Sequence, residues 1–290
     1  MDAADFSGFG INIAIVGLGL IGGSYAMALR ELKPKSIIGI DRDSDVIDEA
    51  LSRGIIDCGS TEGKEVLKEA DLVIVALYPV ETVEFLKNNV QFLKKGAVVT
   101  DACGIKRDII EKVGDFLPEH VDFVGGHPMA GKEKKGLRAA DKDLFKGTNY
   151  ILTPVARNKK ENVRLVEKMA LAIGCKNVGS ITPEEHDRII SLTSQLPHVI
   201  AVALMNISFS GNNIGLFAGG SFNDATRVAA INSVLWEQLF IMNSENLLDE
   251  IEKFEESIGR LKSALRDQDK EALDDIFSSA STNKRKMVRR

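Results

Sequence analysis

The chain has 290 residues, of which 44% are hydrophobic and 27% are charged, and its formal net charge is −5 at pH 7. This length predicts one large or two ordinary domains, and the composition is typical of a soluble globular protein. The negative charge argues against nucleic acid as a main partner. The three cysteines lie far apart and form no C-x-x-C pair, which predicts a reducing cytoplasm and neither a disulfide framework nor a metal site.

A glycine-rich turn follows the first apolar segment of the chain. Residues 11–15 read as a buried parallel strand, and Gly17-Leu18-Gly19-Leu20-Ile21-Gly22 leads from it into a helix that reaches Arg30. The glycines fit the G-x-G-x-x-G pattern, which allows a tight turn, close approach of a pyrophosphate and close packing of helix on strand. This pattern explains the uncharged residues 10–29 better than a targeting segment or a membrane span does, so we expect no membrane partner.

An acidic residue ends the second predicted strand. Ser36–Ile40 reads as a strand, and Asp41 follows it 24 residues after Gly17, which is close to the spacing of an acid that binds ribose hydroxyls. The alternative is a solvated aspartate that opens the next helix. Because a carboxylate repels a 2′-phosphate, Asp41 predicts NAD rather than NADP. We expect Arg42 and the strand end Leu77-Tyr78-Pro79 to contact the cofactor as well.

Strands and helices alternate over residues 1–180. This alternation predicts a doubly wound, Rossmann-type parallel sheet, and we assign residues 1–180 to a dinucleotide-binding domain. Further strands are predicted at 55–57, 71–77, 96–101, 121–126, Asn149–Thr153 and 176–178. Helices are predicted at Ser44–Ser52, with Ser44 as its cap, and at 62–70, 80–92, 105–113 and 158–173.

The remaining residues, 181–290, read as an all-α domain. Thr182 is the predicted N-cap of its first helix, and Pro183 takes the first helical position. Near the end, apolar residues alternate spacings of four and three, which predicts a seam buried against other helices or a second subunit. We therefore expect a homodimer. The seam residues are Leu247, Ile251, Phe254, Ile258, Leu261 and Leu265.

His127 is the first candidate for chemistry, because ligands of open α/β sheets bind at the carboxyl ends of the strands. It lies in Gly125-Gly126-His127-Pro128-Met129-Ala130-Gly131, and the proline keeps it out of a helical conformation. A neutral imidazole there could accept a proton from a substrate hydroxyl as a hydride leaves, with an acidic limb near pH 6.5 if its pKa is unperturbed. The alternative is a structural histidine in a turn.

The helical part holds further candidates. His186 and His198 are 12 residues apart, which is not a helical metal-ligand spacing. Asp187 could fix a histidine tautomer, or it could cap or pair locally. Arg227 suits bidentate binding of a substrate carboxylate, and the alternative is an ordinary ion pair with Asp224.

Taken together, these segments resemble the prephenate/arogenate dehydrogenase family of tyrosine biosynthesis. The resemblance implies a Rossmann-type domain followed by a helical dimerisation domain, an architecture like that of 6-phosphogluconate dehydrogenase. It also implies NAD-linked oxidative decarboxylation of prephenate to 4-hydroxyphenylpyruvate. The alternatives are an arogenate dehydrogenase and, from another class, an NAD-binding redox sensor without turnover. The residues that carry the resemblance are Gly125 to Gly131, 144–154, His186-Asp187, Leu196-Pro197-His198 and Asp224-Ala225-Thr226-Arg227.

The resemblance also implies roles for single residues. His127 would accept a hydrogen bond from the 4-hydroxyl, Arg227 would hold a substrate carboxylate, and His198 would line the pocket near the side-chain carboxylate. Lys132, Glu133 and Gln195 are further expected substrate contacts. The chain departs from the family where Gly104 replaces a frequent serine and Gln195 a frequent histidine, and Cys103 is expected to be a small buried filler.

Overall fold

The computed structural model describes residues 10–207 and 214–288. The chain forms two compact units, the first extending to Asn243 and the second beginning at Ser244. The first unit therefore contains the sheet together with the helices of residues 183–243. The domain boundary predicted near residue 180, between a nucleotide-binding and a helical domain, stays a prediction.

An eight-stranded sheet in the order β3-β2-β1-β4-β5-β6-β7-β8 organises the first unit. Neighbouring strands are parallel, apart from β6 and β7, which are antiparallel. The order 3-2-1-4-5-6 is that of the Rossmann fold, so the predicted doubly wound sheet is confirmed. The strands are β1 (Asn12–Val16), β2 (Ser36–Ile40), β3 (Cys58–Ser60), β4 (Leu72–Val75), β5 (Val98–Asp101), β6 (Asp122–Pro128), β7 (Asn149–Thr153) and β8 (Asn177–Ser180).

Helices cover both faces of this sheet and then continue the chain. The helices are α1 (Leu20–Arg30), α2 (Ser44–Ser52), α3 (Lys64–Leu67), α4 (Pro79–Asn89), α5 (Arg107–Gly114), α6 (Lys160–Ala172), α7 (Pro183–Ile190), α8 (Leu196–Met205), α9 (Ile214–Phe217), α10 (Gly220–Thr226), α11 (Ser233–Met242), α12 (Ser244–Arg266) and α13 (Lys270–Val288). Short 3-10 turns lie at Val90–Phe92, Leu137–Ala139 and Arg227–Ala229.

Both faces of the central strand β1 are buried, as expected for a parallel sheet with helices on each side. Ile13 and Ile15 point into one apolar cluster, which includes residues of α1 and α6. Ala14 and Val16 point into a second cluster, which includes residues of α4 and α5. The continuous apolar sequence of this strand is therefore explained by burial on both sides.

Two local predictions differ from the structure. The strand expected at 55–57 lies at Cys58–Ser60 instead, because Ile55 and Ile56 enter the core from the preceding turn. Helix α2 is capped by Asp43 and not by Ser44, since the Asp43 carboxylate accepts a hydrogen bond from the Asp45 N–H at 3.0 Å.

The predicted start of the helical part is confirmed. Thr182 Oγ1 accepts the N–H of Glu185 at 3.2 Å, and Pro183 is the first residue of α7. Helix α7 continues through one π-helical turn, Ser191–Gln195, into α8. The helical run Pro183–Met205 is long and apolar enough to cross a membrane. Core helices of soluble proteins meet the same criteria of length and composition. Only 28% of its 18 most apolar consecutive residues are buried within the chain, and Ile189, Leu192 and Met205 are exposed.

The second unit consists of α12 and α13, which contact each other. Asp269 caps α13 by accepting the N–H of Ala272 at 3.0 Å. Along the predicted seam of α12, Leu247 is buried, whereas Ile258 is 46% exposed and Leu265 is 63% exposed. Part of the seam therefore stays accessible in a single chain.

Candidate active site

The turn between β1 and α1 forms a cradle that fits the pyrophosphate of a dinucleotide. Gly17 has a φ of 84°, and a Cβ there would lie 2.7 Å from the Ala76 carbonyl oxygen. A Cβ at Gly22 would overlap the carbonyl group of Gly17. At Gly19, by contrast, no atom of the described residues would lie within 4 Å of a Cβ, so the N-terminus of α1 faces open space.

Asp41 lies beside this cradle at the end of β2. Its carboxylate accepts the N–H of Leu18 at 2.8 Å and the N–H of Asp43 at 3.1 Å. These bonds hold the carboxylate next to the glycine-rich turn, where an adenosine ribose would lie, and exposed Arg42 follows it. The strand end at Leu77 contacts Gly17, which brings this second predicted cofactor segment to the same cradle.

The loop after β5 fixes the backbone just before His127. Asp101 and Lys106 form an ion pair in which both side chains are fully buried. The Asp101 carboxylate accepts the N–H of Gly126 at 3.1 Å, and Lys106 Nζ donates to the Gly126 carbonyl at 2.8 Å. Because both polar groups of Gly126 are bound by one ion pair, the end of β6 is held in one position.

His127 lies at the end of β6 and belongs to a chain of hydrogen bonds. Its Nδ1 lies 2.9 Å from His186 Nε2, and His186 Nδ1 lies 2.7 Å from Asp187 Oδ1. The Asp187 carboxylate also accepts the backbone N–H groups of Lys106 and Arg107, at 2.8 and 2.9 Å. Helix α7 thus places a buried carboxylate and a buried imidazole behind His127.

This chain of bonds assigns the tautomers of both histidines. The Asp187 carboxylate only accepts, so His186 donates through its Nδ1–H and accepts at Nε2. His127 must then donate through its Nδ1–H, which leaves its Nε2 as an unprotonated acceptor. That nitrogen lies near Gly104, where an added Cβ would be 3.8 Å away, and the His127 side chain is only partly buried.

The surroundings also keep His127 neutral. Burial of the ring, the neighbouring His186 and the Lys106 ammonium hold the pKa of His127 well below its ordinary value of 6.5. Burial lowers the pKa of His186 as well, although its bond to Asp187 opposes this shift. A neutral imidazole with a free Nε2 can accept a hydrogen bond from a substrate hydroxyl.

A second group of predicted residues is gathered around His198. The His198 ring stacks on Trp236 with ring centroids 3.6 Å apart, and its Nδ1–H donates to the Ser194 carbonyl at 2.8 Å. Arg227 forms an ion pair with Glu133 of the same chain. Both charges act on His198, and burial lowers the pKa of this histidine. The structure therefore brings Glu133, His198 and Arg227 together.

Two residues that were expected to contact the substrate form hydrogen bonds with other groups of the protein. Lys132 Nζ donates to Asp141 at 2.8 Å, and the N–H of Asp141 donates to Ser24 of α1. Gln195 is 1% exposed and bonds to groups of the protein interior, so its geometry does not support a direct substrate contact.

Cys103 is buried, as expected. Burial and the neighbouring Asp101 raise the pKa of its thiol to about 12, which leaves it unreactive at neutral pH.

The pairing of His127 with His186 was not predicted from the sequence. The two residues are 59 positions apart, and no local spacing connects them. The buried Lys106 carries a weak signal, because it follows Asp101 by five residues across a predicted strand end. Trp236, the single tryptophan of the chain, gave no indication of its stacking on His198.

Comparison with known families matches two successive domains of one family. The model of "Prephenate dehydrogenase, nucleotide-binding domain" matches residues 25–178, and that of "Prephenate dehydrogenase, dimerization domain" matches residues 182–279. The chain is similar to prephenate dehydrogenase of Bacillus subtilis, with 32% identity over 275 residues, which are 93% of this chain and 74% of that protein.

Solved structures show the same similarity. One is prephenate dehydrogenase from A. aeolicus in complex with hydroxyphenyl propionate and NAD+, with a TM-score of 0.88, 32% identity, and coverage of 96% of this chain and 98% of that one. Another is Synechocystis arogenate dehydrogenase, with a TM-score of 0.82, 25% identity, and coverage of 96% and 100%. With both family models matched in order and a 32% identical relative aligned over 93% of this chain, the chain belongs to the prephenate dehydrogenase family.

Proposed function

We propose that this chain catalyses the NAD-dependent oxidative decarboxylation of prephenate to 4-hydroxyphenylpyruvate in tyrosine biosynthesis. The observation that carries the proposal is the chain Asp187–His186–His127, which presents an unprotonated Nε2 at the carboxyl end of β6. That end of the sheet also holds the nucleotide cradle. A redox sensor without turnover needs no such oriented base.

NAD as the cofactor is supported by the fit of the cradle around Gly17, Gly19 and Gly22. The Asp41 carboxylate suits two free ribose hydroxyls and opposes the 2′-phosphate of NADP. The match to the family's nucleotide-binding domain supports the same cofactor. When bound, NAD supplies the acceptor for the hydride that leaves ring carbon 4.

His127 would act on the reacting carbon through the 4-hydroxyl of the substrate. As the hydride departs, positive charge develops at that carbon, and the lone pair on His127 Nε2 stabilises the increasingly acidic hydroxyl. Loss of the ring carboxylate as CO₂ leaves its electron pair in the ring, which becomes aromatic. His186 and Asp187 keep His127 in the accepting tautomer throughout.

The side-chain carboxylate of the substrate would bind to Arg227. A guanidinium has five N–H donors, so Arg227 can hold a carboxylate and still pair with Glu133. Arogenate carries an ammonium group where prephenate has a keto group, and it would need an acceptor at that place. The Glu133 carboxylate has further acceptor positions beside its bond to Arg227, so the choice of prephenate rests on the similarity to prephenate dehydrogenase of Bacillus subtilis.

A homodimer is part of the proposal. The dimerisation-domain match over residues 182–279 supports it, and so do large apolar side chains that are exposed in the single chain. Those in the first unit include Leu192, Met205, Val234 and Ile241, and those in the second include Ile258, Leu265 and Phe277.

The decisive experiment compares kcat/KM for prephenate and for arogenate, each with NAD and with NADP. The proposal expects the highest value for prephenate with NAD. A higher value for arogenate would reassign the substrate. Absence of turnover with both substrates would favour the redox sensor.

A further inference from the structure

The two histidines that mark the ends of the site lie on one helical run, at positions 186 and 198. In a regular α-helix, residues twelve apart differ by about 1,200° of rotation, which places them about 120° apart around the axis. The π-helical turn Ser191–Gln195 inserts about one extra residue, which reduces this difference to about 20°. The turn thus returns His198 to nearly the face that carries His186.

The sequence explains why the helix opens at this place. Pro197 has no N–H to donate, and its ring clashes with the carbonyl four residues earlier in a regular helix. That carbonyl belongs to Thr193, inside the π-helical turn. The next carbonyl, that of Ser194, accepts the Nδ1–H of His198, so the opening also orients the histidine ring.

Buried amides hold this turn against helix α11. Gln195 Nε2 donates to the Leu239 carbonyl at 2.8 Å. Asn243 Nδ2 donates to Gln195 Oε1 at 2.8 Å and to the Asp187 carbonyl at 3.0 Å. Asn243 is 4% exposed, and its amide therefore spans the π-helical turn from Asp187 to Gln195 inside the protein. These bonds form the amide clamp, defined here as Gln195, Asn243 and the Leu239 carbonyl.

The clamp is built into the same surface that holds His198. Trp236, Leu239 and Asn243 recur at spacings of three and four, so they lie on one side of α11 and its end. Trp236 stacks on His198, Leu239 accepts the Gln195 amide, and Asn243 reaches Asp187. One helix surface thus contacts both ends of the site.

We propose that Gln195 and Asn243 are positioning residues that keep the π-helical turn and so fix the angle between His186 and His198. This inference rests on the proposed function, because it assigns His127 and His198 to two ends of one substrate. Gln195 would act through the helix and not by touching the substrate. Loss of the clamp would let the base and the carboxylate-binding end move relative to each other.

The test uses Gln195→Met and Asn243→Leu, which remove the clamp from either side, and the double variant. We expect kcat/KM for prephenate to fall by about 100-fold, the scale of a misplacement of about 1 Å, while the KM for NAD stays unchanged. The double variant should lose no more than the worse single variant, because the residues act as one unit. Asn243→Leu, which leaves Gln195 and its bond to Leu239 in place, covers the case in which Gln195→Met does not fold.

Asn89→Leu is the matched control, since it also removes a buried amide bond, to the Phe85 carbonyl, but at the far end of α4. It should lower the melting temperature without changing kcat/KM. If the clamp variants behave like this control, losing stability but keeping kcat/KM per folded molecule, the proposal is wrong.

Fluorescence of Trp236, the single tryptophan, separates this inference from the proposed function. His198 stacked on the indole alters its emission, and displacement of the histidine in the clamp variants should change the spectrum even without substrate. A wild-type chain that turns over neither substrate would overturn the proposed function, while the spectra would still test the clamp. Unchanged emission in every clamp variant would overturn the inference.

Discussion

His127 Nδ1 and His186 Nε2 lie 2.9 Å apart, and this bond decides which nitrogen of His127 is left to accept a hydrogen bond. Behind it, Asp187 is fixed by two backbone N–H groups and by its bond to His186. The hydrogen-bonding role of His127 therefore follows from a carboxylate two side chains away.

Asp187→Asn tests this dependence. The amide can donate as well as accept, so it no longer enforces the Nδ1–H tautomer of His186. A bond to a charged group is worth about 1.5–3 kcal/mol, so we expect kcat to fall by about tenfold to 100-fold, with less effect on KM. Steady-state kinetics with prephenate measure the split. A rise in KM alone, at unchanged kcat, would contradict a role in setting the tautomer.

Cofactor choice should depend on Asp41. In Asp41→Ser the repulsion of a 2′-phosphate is gone, and the exposed Arg42 can approach it, so the preference for NAD over NADP should shrink by about tenfold or more. The ratio of kcat/KM for the two cofactors is the measurement. Asp48→Asn, which removes an exposed charge from α2, is the control and should leave the ratio unchanged. Wild type that prefers NADP would show that Asp41 was misinterpreted.

Arg227→Ala should weaken substrate binding without affecting NAD. Loss of a charged hydrogen bond of about 1.5–3 kcal/mol predicts a rise in KM for prephenate of about tenfold to 100-fold. Lys68→Ala removes another cation, one paired with Glu65 on the surface, and should leave KM as it is. An unchanged KM in Arg227→Ala would assign the residue to its ion pair with Glu133 alone.

Association should depend on the exposed seam of α12. Leu265→Asp together with Ile258→Asp places charges on side chains that are accessible in the single chain, and we expect the variant to sediment as a monomer. Helix content by circular dichroism should be retained. Wild type that sediments only as a monomer at micromolar concentration, with full activity, would contradict the proposed homodimer.

The fold could be predicted because its signals are local. The signals for a buried strand, for the glycine-rich turn and for the Thr182-Pro183 helix start are each confined to a few consecutive residues. The structure contains these features, apart from the strand predicted at 55–57. The N-cap of α2 was predicted wrongly because aspartate and serine are both common N-cap residues. The sequence alone therefore does not show that Asp43, and not Ser44, caps the helix.

The site could be predicted in part. His127, His198 and Arg227 were proposed from residue type, position and the family resemblance, and their roles stay predictions. The bond from His127 to His186 depends on how α7 packs against the end of β6. The buried position of Gln195 could not be predicted for a related reason. The spacing of 12 residues assumes a regular helix, and the π-helical turn changes which residues share a face. Pro197 was the available signal for that irregularity.

The pH dependence of kcat for prephenate, in wild type and in His127→Asn, tests the central assignment most directly. Protonated His127 cannot accept the hydroxyl proton, so activity should be lost as pH falls through its pKa. Because this pKa lies well below 6.5, wild type should still be on its plateau at pH 6.5, unlike the unperturbed histidine expected from sequence. His127→Asn can still donate to His186, and it should lose about 10²–10⁴ in kcat together with the acidic limb. Retention of most of the kcat, or of the same limb, would show that another group is the base.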